Sequence, residues 1–373
     1  MSRLLILAND YKTLANFRTE LIERLLSVGH EVILSLPDNE KNKNFADMGC
    51  KIVTAPISRH GTNPLKELKL IRAYKKQMKE LKPDCVLTFT VKPNIYGSIA
   101  AAALKIPYIN NITGLGSVMQ SESLLKKLML QLQKYAYRKS SCVFFQNNGN
   151  LTYFTSKGIV KKNAKLLPGS GVNLNLHMFS DYPSEEPFVD FAIVSRLRKD
   201  KGFDEFFTMA DALLPKYKNI RFHVVGWIEE DHYRAILERY EDEPRMIYHG
   251  ETTQQQVHDI LHSCHCLIHP SYHEGMANVL MEAAAAGRPA LVSDIHGCKE
   301  GVDHGESGFT FKVRDAESLK QCVELYLQQG EEEHRLMGKK ARKKMETEFD
   351  REIVIQKYME QLELITAPKV EVS

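Results

Sequence analysis

At 373 residues the chain is long enough for two domains, each able to bury its own core. Hydrophobic residues are 43% and charged residues 26%, ordinary values for a globular protein, and a net charge of +3 leaves any basic character local. No run of eighteen apolar residues occurs, because Lys105 interrupts the stretch near Ala100 and Glu282 and Arg288 the one near Ala285, which argues against a transmembrane helix.

The start, Met1 to Asp10, turns polar too soon for a signal peptide and reads as a first strand, Arg3–Ala8. Further strands are expected at Glu31–Leu36, Lys51–Ala55, Cys85–Thr90, Pro107–Asn110 and Cys142–Gln146. Helical patterns at Ala15–Leu26, Leu65–Leu81 and Leu124–Lys139 fall between them. The second half repeats the scheme, with strands at Phe191–Val194, Arg221–Val225, Met246–Tyr248, Cys266–His269 and Ala290–Ser293. Its helices are expected near Phe203–Leu214, Gln255–Ser263, Asn278–Ala286 and Ala316–Leu327. Such alternation predicts an α/β fold of parallel sheets covered on both faces. Asp181 to Pro187, polar and carrying two prolines, reads as the linker between two Rossmann-like domains, residues 1–180 and 188–348.

Paired domains of this kind suggest a nicotinamide enzyme, but that class needs a glycine fingerprint after the first strand. Asn9 to Asn16 contains no glycine and is read instead as an open loop. Seven cysteines without a regular framework fit a reducing, cytoplasmic setting. His262, Cys264, His265, Cys266, His269 and His273 crowd together, yet a strand sends alternate residues to opposite faces, so no metal site is expected.

The most informative stretch is Ser271-Tyr272-His273-Glu274-Gly275-Met276-Ala277-Asn278-Val279-Leu280-Met281-Glu282-Ala283. Glu274 should sit in a strand-to-helix turn and Glu282 inside the helix that Gly287-Arg288-Pro289 ends. The helix N-terminus attracts a diphosphate through free backbone amides, and the two carboxylates can accept hydrogen bonds from sugar hydroxyls. A nucleotide sugar has both parts.

These residues, with Ser195-Arg196-Leu197-Arg198-Lys199-Asp200-Lys201-Gly202 and Pro168-Gly169-Ser170-Gly171-Val172-Asn173, resemble the retaining glycosyltransferases of family 4. Thr113-Gly114-Leu115-Gly116-Ser117 resembles the subgroup that builds capsule, O-antigen and lipid-linked glycans in bacteria. The resemblance implies the GT-B fold, two domains facing across a cleft, with a final helix at 350–366 returning to the first. It implies a metal-independent transferase without a cofactor, moving a hexose or N-acetylhexosamine from a UDP-sugar to a polyprenyl-diphosphate-linked saccharide. Arg196 and Lys201 would clamp the diphosphate, Glu274 would contact the donor hexose, and Glu282 would hold the ribose. Gly275, Met276, Ala277, Asn278 and Val279 would complete the donor site. Apart from the resemblance, Gly226 and Gly250, each after a strand at the same edge, read as walls for the nucleobase. Arg198 and Lys199 read as a solvated loop.

For the acceptor, Asn16, Arg18, Lys92, Gly114 and Gly116 are the candidates, with His60 a further one and no general base assigned. On the Leu124–Lys139 helix, Leu130 and Tyr137 fall among Lys126, Lys127, Lys134 and Arg138, as a peripheral contact with an anionic membrane on the cytoplasmic side would require. No basic run has the aromatic interleaving of a nucleic-acid site. Two rivals remain: a UDP-amino-sugar epimerase of the same fold, and a non-catalytic nucleotide-sugar-binding scaffold.

Overall fold

The computed structural model describes residues 1–57, 63–114 and 124–366. His60 and Gly116 lie outside the described residues. The chain forms two units, Met1–Ser170 with the segment from Glu352 onward, and Gly171–Arg351.

The first unit is built on a parallel sheet of β1 (Arg3–Leu7), β2 (Glu31–Leu36), β3 (Lys51–Thr54), β4 (Cys85–Phe89), β5 (Tyr108–Ile112), β6 (Cys142–Phe145) and β7 (Ala164–Leu166). Their order is β3-β2-β1-β4-β5-β6-β7. Strand alternation divides β1 between two cores. Leu4 and Ile6 pack with Val354, Ile355, Tyr358 and Leu362 of the Arg351–Thr366 helix, while Leu5 and Leu7 meet Leu70 and Tyr74 of the Pro64–Leu81 helix. Each such leucine, fully buried, contributes about 1.5–3 kcal/mol. The C-terminal helix is also held by polar contacts, Asn111 Nδ2 donating to the Tyr358 hydroxyl at 2.5 Å and Lys357 to the Leu166 carbonyl at 3.0 Å.

The second unit has its own parallel sheet, β8 (Val189–Val194), β9 (Ile220–Val225), β10 (Met246–Gly250), β11 (Cys266–His269), β12 (Ala290–Ser293) and β13 (Gly308–Phe311), in the order β10-β9-β8-β11-β12-β13. Phe191 and Ile193 point to one core with Phe203, Phe206 and Leu213. Ala192, between them, points to the other with Leu280 and Ala283. The short strands β7 and β13 add an edge to each sheet beyond the expected ones.

Three local expectations change. Asn9–Asn16 is not an open loop: Asp10 caps a helix at Tyr11–Phe17, its carboxylate accepting from the Thr13 amide at 2.8 Å and hydroxyl at 3.0 Å. A second helix, Thr19–Ser27, follows Arg18, so the expected single helix is two. On the Leu124–Tyr137 helix the buried side is rotated: Tyr137 is 4% exposed and Leu130 packs on the same core, whereas Leu128 and Tyr135 are 56% and 49% exposed.

The expected linker 181–187 is packed into the second unit, and the division falls between Ser170 and Gly171. Prolines set the direction of a chain without freeing it. Tyr182 is buried, its hydroxyl 2.7 Å from that of Tyr326. Arg288, 1% exposed, donates to the carbonyls of Ser180 at 3.1 Å, Asp181 at 3.2 Å and His262 at 2.7 Å. Its role here is to tie backbone together. Arg288→Met should therefore cost at least about 3 kcal/mol, because several buried carbonyls lose a charged donor. Urea unfolding measures this; a change under about 1 kcal/mol would remove the structural role.

Candidate active site

In a parallel α/β sheet, ligands bind beyond the carboxyl ends of the strands, where the strand order reverses. In the second unit that point lies between β8 and β11, which pair at Cys266↔Phe191 and Leu267↔Ala192. The loops leaving these two strands are Ser195–Gly202 and Pro270–Ala277. They are joined by backbone: Tyr272 N–H donates to the Asp200 carbonyl at 3.0 Å. Gly202, at φ +76°, lies so close that a Cβ would stand 2.1 Å from the Pro270 oxygen.

This packing brings Lys201 to Glu274, with Nζ 2.6 Å from Oε1 and both side chains 15% exposed. His269, the last residue of β11, places Nε2 3.2 Å from the same oxygen. Burial alone would raise the Glu274 pKa, but the His269 hydrogen bond and the Lys201 charge outweigh it and hold the carboxyl well below the usual range. The sequence weighs His269 only as a metal ligand, and only the path of the Pro270–Glu274 loop reveals its contact with Glu274.

Arg196 is on the neighbouring loop. Its guanidinium meets Glu229 at 2.6 Å and lies 5.8 Å from the Trp227 ring centroid. Arg198 is not the solvated side chain expected: it pairs with Asp200 and, at 3.1 Å, with Glu229. Lys199, 68% exposed along its side chain, is solvated. Gly226 ends β9 at φ +137°, where a Cβ would stand 1.8 Å from the Ser195 oxygen. Its amide donates to the Gly250 carbonyl at 2.9 Å, and Gly250 itself faces open space. Gly226 thus serves close backbone approach, beside the half-exposed rings of Trp227 and Tyr248.

The helix after Glu274 and Gly275 runs Asn278–Ala285, shorter by one residue than expected. Two of the expected donor contacts change character. Met276 points its side chain into a core with Met281 and Phe349, leaving only its backbone to the loop. The Ala277 amide is taken by the Gly297 carbonyl at 2.9 Å. Among the described residues the first-turn amides of Asn278 and Val279 have no backbone acceptor, as helix N-termini require. Glu282 stands in the middle of this helix, partly buried, with no hydrogen bond or ion pair to its side chain among the described residues. Burial pushes its carboxyl up to about 7 against the opposing charge of Arg351.

In the first unit the corresponding reversal lies between β1 and β4. The acceptor candidates are less available there than the sequence implied. Arg18 is 2% exposed, donates to the Phe17 carbonyl at 2.6 Å and lies 4.9 Å from the Phe89 ring centroid. Lys92 is paired with Glu67 at 2.6 Å, the two side chains 14% and 9% exposed. Neither offers an open cation to a phosphate. Asn16 is exposed, and Gly114 follows β5, half-buried.

Residues 3–147 match the glycosyl transferase 4-like family and residues 178–344 match the glycosyl transferases group 1 family. The chain is a glycosyltransferase with a 4-like amino-terminal half and a group 1 carboxy-terminal half. This glycosyltransferase is 26% identical to the N,N'-diacetylbacillosaminyl-diphospho-undecaprenol alpha-1,3-N-acetylgalactosaminyltransferase of Campylobacter jejuni, over 96% of its own chain and 97% of the relative. It is 23% identical to the capsular polysaccharide biosynthesis glycosyltransferase CapM of Staphylococcus aureus, over 77% of each. Its fold is GT-B. The crystal structure of Anabaena HepE with UDP and glucose superimposes with a TM-score of 0.79 at 18% identity, covering 98% of this chain and 100% of that one.

Two measurements probe the glycosyltransferase's site. Arg196→Ala and Lys201→Ala should each weaken UDP binding about tenfold or more, since a hydrogen bond to a charged group contributes roughly 1.5–3 kcal/mol. Calorimetric titration with UDP decides it, and unchanged affinity in both variants removes the clamp. Glu282 gives a pH signature. Its folded pKa lies above the unfolded value, so its stabilising effect is complete at low pH and is lost as pH rises from about 4.5 through about 7. Glu282→Gln should accordingly be more stable than wild type at pH 8, by up to about 3 kcal/mol, and the gain should shrink towards pH 5. A gain independent of pH would contradict the burial argument.

Proposed function

We propose that this glycosyltransferase moves a hexose or N-acetylhexosamine, with retention of configuration, from a UDP-sugar to a polyprenyl-diphosphate-linked saccharide. The observation that carries the reading is the Lys201–Glu274–His269 cluster at the strand reversal of the second sheet, beside Arg196 and the first-turn amides of the Asn278–Ala285 helix. A diphosphate there would draw Lys201 from Glu274 and Arg196 from Glu229, exchanging carboxylate partners for a dianion. Glu274 and Glu282 are then available to accept from hydroxyls of the hexose and the ribose. As the C1–O bond to the diphosphate breaks, the acceptor oxygen bonds to C1 on the same face and passes its proton to the departing phosphate. Cations and helix amides stabilise the charge that develops on the leaving group.

In this reading the second unit holds the donor and the first unit the acceptor. The UDP assignment is supported by the UDP bound to HepE, and the lipid-linked acceptor by the substrate in the Campylobacter relative's name. Incubating the purified protein with a panel of nucleotide sugars, without and with a polyprenyl-diphosphate-linked saccharide, tests it. Acceptor-dependent release of UDP and an α-linked product from an α-linked donor are expected. Conversion of the donor to its epimer would favour an epimerase, and no turnover of any donor a binding scaffold.

Such an acceptor resides in a membrane, and among the described residues no helix is long and apolar enough to cross one. Peripheral contact on the cytoplasmic face fits the first unit's surface. Lys134 and Tyr135 of the Leu124–Tyr137 helix and Arg138 just after it line a groove of about 620 Å³ with Lys161 and Lys162, with no acidic side chain in its lining. Leu128 and Tyr135 are exposed on the same helix, and the Arg138 guanidinium lies 4.0 Å from the Tyr135 ring centroid. Near an anionic surface each basic residue contributes about 1 kcal/mol, and inserted apolar groups add a part that salt does not screen. The protein should sediment with anionic vesicles at low salt. Changing Leu128 and Tyr135 to serine should lower the salt-resistant fraction without altering UDP affinity. Failure of the wild type to sediment would discard the contact.

A further inference from the structure

We infer that His269 is a positioning residue for Glu274, keeping that carboxylate in place while Lys201 changes partner. This rests on the reading that Glu274 contacts the donor sugar. Lys201 and His269 both reach Oε1 of Glu274, at 2.6 and 3.2 Å, but they are anchored differently. Lys201 approaches on a flexible four-carbon stem from the short Lys199–Lys201 turn. His269 is the last residue of β11, 4% exposed, paired in register with Val292 and followed by Pro270. Its backbone is fixed by the sheet and its ring is almost wholly buried.

The two contacts respond differently to a nucleotide diphosphate. The ammonium is drawn to the greater negative charge of the phosphates, whereas the imidazole cannot follow. Without His269 the carboxylate would be less firmly held as Lys201 leaves. With His269 present, its hydrogen bond to Oε1 survives the exchange. Because Glu274 is ionised and can only accept, Nε2 must carry the hydrogen, which fixes the orientation of the donor.

The test compares His269→Gln, whose side-chain amide nitrogen reaches the position of Nε2, with His269→Asn, whose amide is too short. Glu274→Gln is the reference, and the donor is whichever nucleotide sugar the wild type turns over. His269→Gln should keep kcat within about threefold, and His269→Asn should lose about tenfold or more, with the Kd for UDP within about twofold in both. Equal kcat in the two variants, whether lowered or unchanged, overturns the positioning role. So does loss of UDP binding in both, which would make His269 part of the scaffold. If Glu274→Gln transfers at the wild-type rate with unchanged KM, the sugar-contact reading fails instead. If the wild type turns over no donor, the proposed transfer falls and this inference with it.

Discussion

Gly202 lies against the carbonyl of Pro270, and the distance a Cβ would have there, 2.1 Å, leaves no room for any other residue. Gly226 makes a second approach of this kind, against the Ser195 oxygen, and Gly297 a third, against the backbone of Glu274. These contacts determine where Lys201, Arg196 and Glu274 are held. The sheet supplies the ends of β8 and β11 as neighbours, but strand pairing alone would leave the two loops free to diverge. Backbone-to-backbone packing turns adjacent strand ends into one charged surface.

That surface is nearly neutral as it stands. Lys201 is matched by Glu274, and Arg196 and Arg198 share Glu229. Removing cations from water without partners would be costly, and the pairs offset that cost. A diphosphate brings enough negative charge to compete for both cations, but it must do so against existing partners. On the proposed reading, an anion with two closely spaced charges would compete better than a single carboxylate or monoanion. Glu282 has the opposite character. Its burial without a side-chain partner among the described residues costs stability in the folded protein above neutral pH, a cost that a ribose could offset by donating hydrogen bonds.

Most of the framework could be read from the sequence because parallel strands buried on both faces are nearly continuous apolar runs, as in Cys85–Phe89 and Cys266–His269. β7 and β13, three and four residues long, carry too little pattern to stand out. The Leu124–Tyr137 helix failed differently. Its apolar residues cover more than half of the circumference, so periodicity identifies a helix without deciding which side is buried. Glu274 and Glu282 were placed correctly within the turn and the helix, since a strand, a proline and a terminator bracket them. Their partners were not legible. Glu229 lies 33 residues from Arg196, and Glu67 lies 25 from Lys92, separations that only the fold closes.

The first unit shows what that missing information changes. In the sequence Lys92, after a strand end, reads as a contact for the acceptor. Paired with a nearly buried Glu67, it presents a cation and an anion together, and a phosphate approaching Lys92 meets the repulsion of the carboxylate. Neutral hydroxyls suit such a pair better, since they can donate to Glu67 and accept from Lys92. The turn leading to Lys92 is held by a buried network: the Thr88 hydroxyl donates to Asn94 Oδ1 at 2.6 Å, and Asn94 Nδ2 donates to the Asn111 carbonyl at 2.7 Å. Thr90 between them takes a left-handed φ of 70°, costly for a β-branched residue and sustained only where the surroundings over-determine it. A segment so constrained presents its polar groups at fixed positions, which suits the recognition of a sugar face more than an electrostatic grip on a flexible diphosphate.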